Sequence, residues 1–146
     1  MNKTDLKGLC QEILETGMKR FPVSLGIVSR IYQNKYEVYS LSSSDDVLKY
    51  GDVFDLDNVY CRDVYKNKKT IAITEIDNVP GMKLYPLYEL IPLEIYISSP
   101  INVNGQVWGT LNFSGFEISE IPFSTDDIQF NEDQAGRIAS AISNLE

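Results

Sequence analysis

The sequence predicts an α+β fold in a single domain, with a helix at each end and antiparallel hairpins between them. Apolar residues recur at three- and four-residue spacing near both termini, the period of one helical face. Between the ends the period falls to two, as in strands with one buried face. Asn104-Gly105 also divides two alternating runs, a strong hairpin signal because this pair supplies both positive-φ positions of a type I′ turn. At 146 residues the chain fits one core, since two would each be marginal.

At the N-terminus, Thr4 is placed to cap a helix running from Asp5 to about Lys19, with Leu6, Leu9, Cys10, Ile13 and Leu14 on one face. Cys10 on that stripe reads as a small core hydrophobe rather than a reactive thiol. From Val23, alternation of Val23, Leu25, Ile27 and Ile31 with polar residues predicts a strand. Gln33-Asn34-Lys35 forms a turn into a second antiparallel strand over residues 36–41, and residues 42–46 form a loop. A short extended piece over 51–56 precedes Asp57, a cap for a helix carrying Tyr60, Cys61, Val64 and Tyr65.

Residues 70–74 read as another strand, and residues 75–93 form a long connection broken by Pro80, Pro86 and Pro92. Connections of that length are uncommon in a compact domain and often functional. Across the Asn104-Gly105 turn, a two-residue loop pairs Val103 with Gln106. Uninterrupted alternation then places Ile95, Ile97, Ser99, Ile101, Trp108, Thr110 and Asn112 on one face, and Tyr96, Ser98, Val107, Leu111 and Phe113 on the other. Neither face is wholly polar, which predicts that both are covered. Ser124 and Asp127 form a capping box, with Phe123 and Ile128 as a hydrophobic staple. Ile128, Ala135, Ile138, Ile142 and Leu145 then follow a seven-residue rhythm, with Asn131 in one slot.

Composition narrows the functional classes. A net charge of −8 repels a phosphate backbone, and Lys66, Lys68 and Lys69 read more simply as complements to a helix dipole than as a nucleic-acid site. Neither nucleic acid nor an anionic membrane is an expected partner. The N-terminal residues lack a signal-peptide core and apolar runs stop well short of a membrane span, so a cytoplasmic location is expected. Cys10 and Cys61 are the chain's 2 cysteines and histidine is absent. Zinc sites, Ser-His and Cys-His nucleophile pairs, and the usual general base near neutral pH are thereby removed. No catalytic residue, metal or cofactor is assigned.

The order of elements and two local blocks resemble the GAF domain. Residues 51–61, with Gly51, Phe54, Leu56, Tyr60 and Cys61, are similar to the glycine, phenylalanine, leucine, threonine-tyrosine-cysteine pattern of bacterial GAF sensors. Tyr96-Ile97-Ser98-Ser99-Pro100 through Gly109-Thr110-Leu111-Asn112-Phe113 resembles their conserved hairpin, and Pro122-Phe123-Ser124 their last helix start. Val59 stands where those relatives have threonine and Ser98 where they have glycine. The resemblance implies a GAF/PAS-like central antiparallel sheet with the N- and C-terminal helices on one face and a ligand pocket, covered by a helix and loops, on the other. Its segments would be 1–19 for the first helix, 20–123 for sheet and pocket, and 124–144 for the last helix, continuing into an output domain of a longer signalling protein such as a two-component kinase.

Subtypes can be separated residue by residue. Bilin-binding relatives attach the chromophore through a Cys-His pair, whereas Cys61 is followed by Arg62. Free methionine-sulfoxide reductases carry a second cysteine in the loop after the equivalent of Cys61, and residues 78–84 contain none. Cyclic-nucleotide binders use a signature that Asn34-Lys35, in a turn, does not assemble. The expectation is therefore a non-catalytic small-molecule sensor, with Tyr60, Cys61, Tyr85, Tyr88, Tyr96 and Ser98 lining the pocket. The alternatives are a dimerisation scaffold whose aromatics fill the pocket, or a free methionine-sulfoxide reductase. A homodimer is expected through the terminal helices at Leu6, Leu9, Ile13, Ile138, Ile142 and Leu145.

Overall fold

The computed structural model describes residues 3–43, 49–56, 62–73, 94–115 and 121–145. The elements are α1 (Lys3–Arg20), β1 (Leu25–Tyr32), β2 (Lys35–Ser43), β3 (Val53–Asp55), α2 (Arg62–Asn67), β4 (Ile71–Ile73), β5 (Ile95–Val103), β6 (Gln106–Gly115) and α3 (Thr125–Ser143). A 6-stranded sheet has the order β3-β2-β1-β6-β5-β4, antiparallel at every pairing. This is the expected α+β architecture.

Local chemistry sets the element ends. The first helix begins at Lys3, so Thr4 lies inside its first turn instead of capping it. The β1–β2 turn needs only Gln33 and Asn34, at φ 50 and 60; Lys35 already pairs with Tyr32 and belongs to the strand rather than the turn. Asn104 and Gly105, at φ 54 and 79, close the β5–β6 hairpin with Val103 opposite Gln106, as the sequence predicts. The expected cap at Asp57 lies outside the described residues. The capping box is present at α3: the Ser124 hydroxyl accepts from the Asp127 N–H at 3.0 Å, and the Asp127 carboxylate accepts from the Ser124 N–H at 2.9 Å.

The assignment of faces in β6 needs correction. The ladder with β5 slips between Ile101 and Asn102, so Asn102 pairs with Val107 and Ile101 with Gly109, leaving Trp108 as an extra residue. A one-residue slip moves every following side chain to the other face. Leu111 and Phe113 therefore share a face with Ser99 and Ile97, while Thr110, Asn112 and Ser114 lie opposite Pro100, Ser98 and Tyr96. A second slip in β1–β2, where Val28 pairs with Ser40 and Ser29 with Val38, leaves Tyr39 as the extra residue.

Both terminal helices cover one face of this sheet. α1 lies across β1 and β2, α3 lies chiefly on β5, and the two helices touch. Beneath them, Val28, Ile97, Ile101, Leu111 and Phe113 pack with Leu6, Cys10, Ile13, Leu14, Ala135, Ile138 and Ile142. Phe21 closes one end, its ring centroid 5.4, 5.6 and 5.9 Å from those of Phe113, Phe123 and Phe130. Leu6, Ile13, Ile138 and Ile142, expected at a dimer interface, are thus buried in the core of their own chain. Leu9 and Leu145 are partly buried against the same cluster.

Three outcomes test this packing. A Cβ on Gly109 would stand 1.8 Å from the Ser29 carbonyl oxygen, whereas one on Gly8 would meet nothing within 4 Å. Urea unfolding should show Gly109→Ala destabilised by about 2 kcal/mol or more and Gly8→Ala unchanged or stabilised by up to about 1 kcal/mol. The Asp127 carboxyl is held below its usual 3.8, chiefly by the backbone hydrogen bond from Ser124. A depressed folded pKa contributes stability above the ordinary value that is lost as pH falls through the folded one. Asp127→Asn should therefore flatten the acid limb of a stability profile below about pH 4.

Burial drives the Cys10 thiol the opposite way, from 9.0 to about 11. Between those values the folded thiol stays protonated while the unfolded one ionises, so its contribution to stability is intact below about pH 9 and declines as pH rises toward 11. Cys10→Ala should remove that alkaline slope. In a Cys61→Ser background, Cys10 should also resist dithiobis-nitrobenzoate until the chain is unfolded.

Candidate functional site

In β6, Thr110, Asn112 and Ser114 alternate with Leu111 and Phe113, and the bulge at Trp108 decides where that alternation points. The apolar pair enters the helix-covered core, so the polar trio lies on the opposite face. The neighbouring strands supply partners of the same kind. Ser29 in β1 pairs with Thr110, and Ser98 and Tyr96 in β5 pair with Asn112 and Ser114.

These polar side chains are deeply buried: Ser29, Ser98 and Thr110 are 0% exposed, Asn112 and Tyr36 4%, Ser114 2% and Tyr96 1%. Two pairs among them are hydrogen-bonded, as buried polar groups require. The hydroxyls of Ser29 and Thr110 are 2.6 Å apart, and the Thr110 N–H donates to the Ser29 hydroxyl at 3.0 Å. The Asn112 amide donates across β1 to the Tyr36 hydroxyl at 3.2 Å. Glu94, also buried, precedes β5 in step with Tyr96 and Ser98 and adds a carboxylate at the end of the row.

Of the residues expected to line a pocket, Tyr96 and Ser98 are brought together on this face. Tyr60, Cys61, Tyr85 and Tyr88 lie outside the described residues. The sequence pattern alone does not mark Ser29, Tyr36, Thr110, Asn112 or Ser114 as members of this row. The signal for the last three was the alternation of hydroxyl and amide residues along β6, obscured because the extra residue at Trp108 reverses the face.

The row gathers hydrogen-bond donors and acceptors on one face. Hydroxyls donate and accept, and an amide does both at fixed positions. Ser29 is paired with Thr110 rather than with a base, and the chain contains 0 histidines. Among the described residues, no group of 3 or more His, Cys, Asp and Glu side chains is placed to hold a metal ion. No described helix is long and apolar enough to cross a membrane.

Solved structures share this architecture. The GAF domain of PixJ from Thermosynechococcus elongatus, described in its blue-light absorbing form, superposes with a TM-score of 0.77 at 14% identity, covering 97% of this chain and 87% of that one. A GAF domain/HD domain protein from Geobacter sulfurreducens gives 0.76 at 14% identity, covering 97% and 94%. A type II free methionine-R-sulfoxide reductase from Thermoplasma acidophilum gives 0.72 at 12% identity, covering 98% and 93%. At these identities the likeness is one of fold. No curated protein matches by sequence. The GAF domain family itself, however, matches residues 3–143, a span that contains the described sheet and both terminal helices, and the chain belongs to that family.

Proposed function

We propose that this GAF domain is a non-catalytic sensor of a small polar molecule, recognised on the sheet face opposite α1 and α3, within a larger cytoplasmic signalling protein. The observation that carries this reading is the buried row of Ser29, Thr110, Asn112, Ser98, Ser114, Tyr36 and Tyr96. Packing alone is served more cheaply by apolar side chains, since each buried hydroxyl or amide must find a partner. A concentration of such groups on one face supports a role in recognition. Cyanobacteriochrome receptor and photoreceptor structures of the same fold favour signalling, while the absence of histidine separates this chain from bilin attachment through a Cys-His pair.

The reductase reading is weaker. Cys10 is fully buried within the helix-covered core, and burial raises its pKa to about 11. That leaves Cys61 without a second thiol in the sequence positions where such reductases resemble this chain.

A thermal-shift panel of nucleobases, amino acids and small amides tests the proposal. A true ligand at 100 times its dissociation constant should stabilise the fold by about 2.7 kcal/mol. Asn112→Leu and Ser98→Val should remove that shift while remaining folded. A shift unaffected by both variants would move the site elsewhere. Cysteine-dependent turnover of free methionine sulfoxide would replace the sensor with an enzyme.

A further inference from the structure

The residues that the two ladders leave out converge on one place. Tyr39 is passed over between Ser40, opposite Val28, and Val38, opposite Ser29. Trp108 is passed over between Val107 and Gly109. A bulge re-aims the side chain it releases and is common beside functional sites. Both rings turn to the helix side of the sheet, where they meet edge to face with centroids 5.3 Å apart. Neither is fully buried, so sealing the core does not by itself account for the arrangement.

The two rings wall a cavity of about 360 Å³, within the range of small-molecule sites. Its floor is apolar: Leu6 from α1, Ile142 from α3 and Leu145 just beyond. Its remaining lining is cationic, from Lys7 and Arg30. The Lys7 ammonium lies 4.0 Å from the ring centroids of both Tyr39 and Tyr50. It donates to the Tyr39 carbonyl at 3.1 Å and to the Tyr50 hydroxyl. An ammonium has three donors, so one N–H is uncommitted among the described residues. The Arg30 guanidinium stands 5.3 Å from the Tyr32 ring centroid and 5.8 Å from that of Trp108.

Charge selects the occupant. Glu37 stands opposite Arg30 in the β1–β2 register and exerts a Coulombic pull on Lys7. Two cations against one carboxylate leave a single positive charge, in a chain whose net charge is −8. An apolar floor, aromatic walls and one excess positive charge together suit a flat apolar body bearing one negative charge. A polyol would leave the floor unmatched, and a dianion would meet Glu37.

We propose that this cavity is a second binding site, on the opposite face of the sheet from the polar row, for a small aromatic carboxylate. Its ring lies against Trp108 and the Leu6, Ile142 and Leu145 floor, and its carboxylate accepts from Lys7 and Arg30. The site does not depend on the sensing function assigned to the polar row. Because its floor joins the start of α1 to the end of α3, an occupant bridges the two terminal helices.

The chain's 1 tryptophan is Trp108, so its intrinsic fluorescence reports this cavity directly. Titration of the full chain with benzoate and phenylacetate should give a saturable change, with benzamide and phenylacetamide at least about tenfold weaker, the loss expected for one charge-assisted hydrogen bond. Arg30→Gln and Lys7→Gln should each weaken benzoate by about tenfold or more, with circular dichroism and urea midpoints confirming folded protein. Glu37→Gln should tighten binding, a change of sign that general loss of packing does not produce. Asn112→Leu should leave benzoate affinity unchanged, so failure here and failure of the polar row are separable. No saturable change with either acid, amides that bind as well as acids, or an unchanged or weaker affinity in Glu37→Gln would overturn the proposal.

Discussion

Much of the molecule depends on one extra residue in β6. Strand side chains alternate with a period of two, so inserting Trp108 without a partner inverts everything that follows it. The inversion sends Leu111 and Phe113 under the helices and Thr110, Asn112 and Ser114 to the other face. Phe113 then fixes how closely α1 can approach: a Cβ at Gly17 would fall 2.0 Å from its ring, so the helix backbone rests directly on the aromatic side chain. Without the bulge the same sequence would aim Thr110 and Asn112 into an apolar core, at a cost of about 1 to 3 kcal/mol for each unsatisfied group.

The seat of α3 on the sheet follows from this register as well. Asn131 sits 0% exposed on the buried face of the helix, where an apolar residue would continue the pattern. Its amide donates to the Ser99 hydroxyl at 2.8 Å and to the Leu111 carbonyl at 3.2 Å. Ser99 and Leu111 are opposite one another only in the slipped ladder. A buried polar side chain with positioned partners disfavours sliding of the helix, because any other placement leaves it unsatisfied. Asn131 therefore fixes where α3 lies on the sheet, while Ile138 and Ile142 supply the apolar contact.

The strongly local features were legible in the sequence. Asn104-Gly105 fixed a turn type, Ser124 and Asp127 a helix start, and the apolar spacing of residues 6–14 a helix face, because each depends on residues a few positions apart. The faces of β6 were not legible beyond the turn. A bulge is set by the fit between β1, β5 and β6, and by how closely Gly109 approaches Ser29, which are contacts between distant parts of the chain. The same cause hid most of the polar row. In β5, which carries no extra residue, alternation alone sets Tyr96 and Ser98 on one face, whereas uninterrupted alternation in β6 sets Thr110 and Asn112 on the wrong side. The fate of the terminal stripes also needed the fold: a spacing shows that Leu6, Ile13, Ile138 and Ile142 share helical faces, but only the width of the sheet shows that it can cover them.

The bulge also places the two faces in one short stretch of backbone. Trp108 faces the helix side, Thr110 the polar side, and Gly109 between them closes on the Ser29 carbonyl. Ser29 in turn bonds Thr110 through its hydroxyl. This centre has little room to yield, because a tightly packed backbone contact resists displacement on both sides. The helix ends are different: Leu6 and Leu145 meet at an open cavity rather than across a filled interface. The centre of the sheet is therefore held more firmly than the helix ends, where fewer packed contacts oppose local opening.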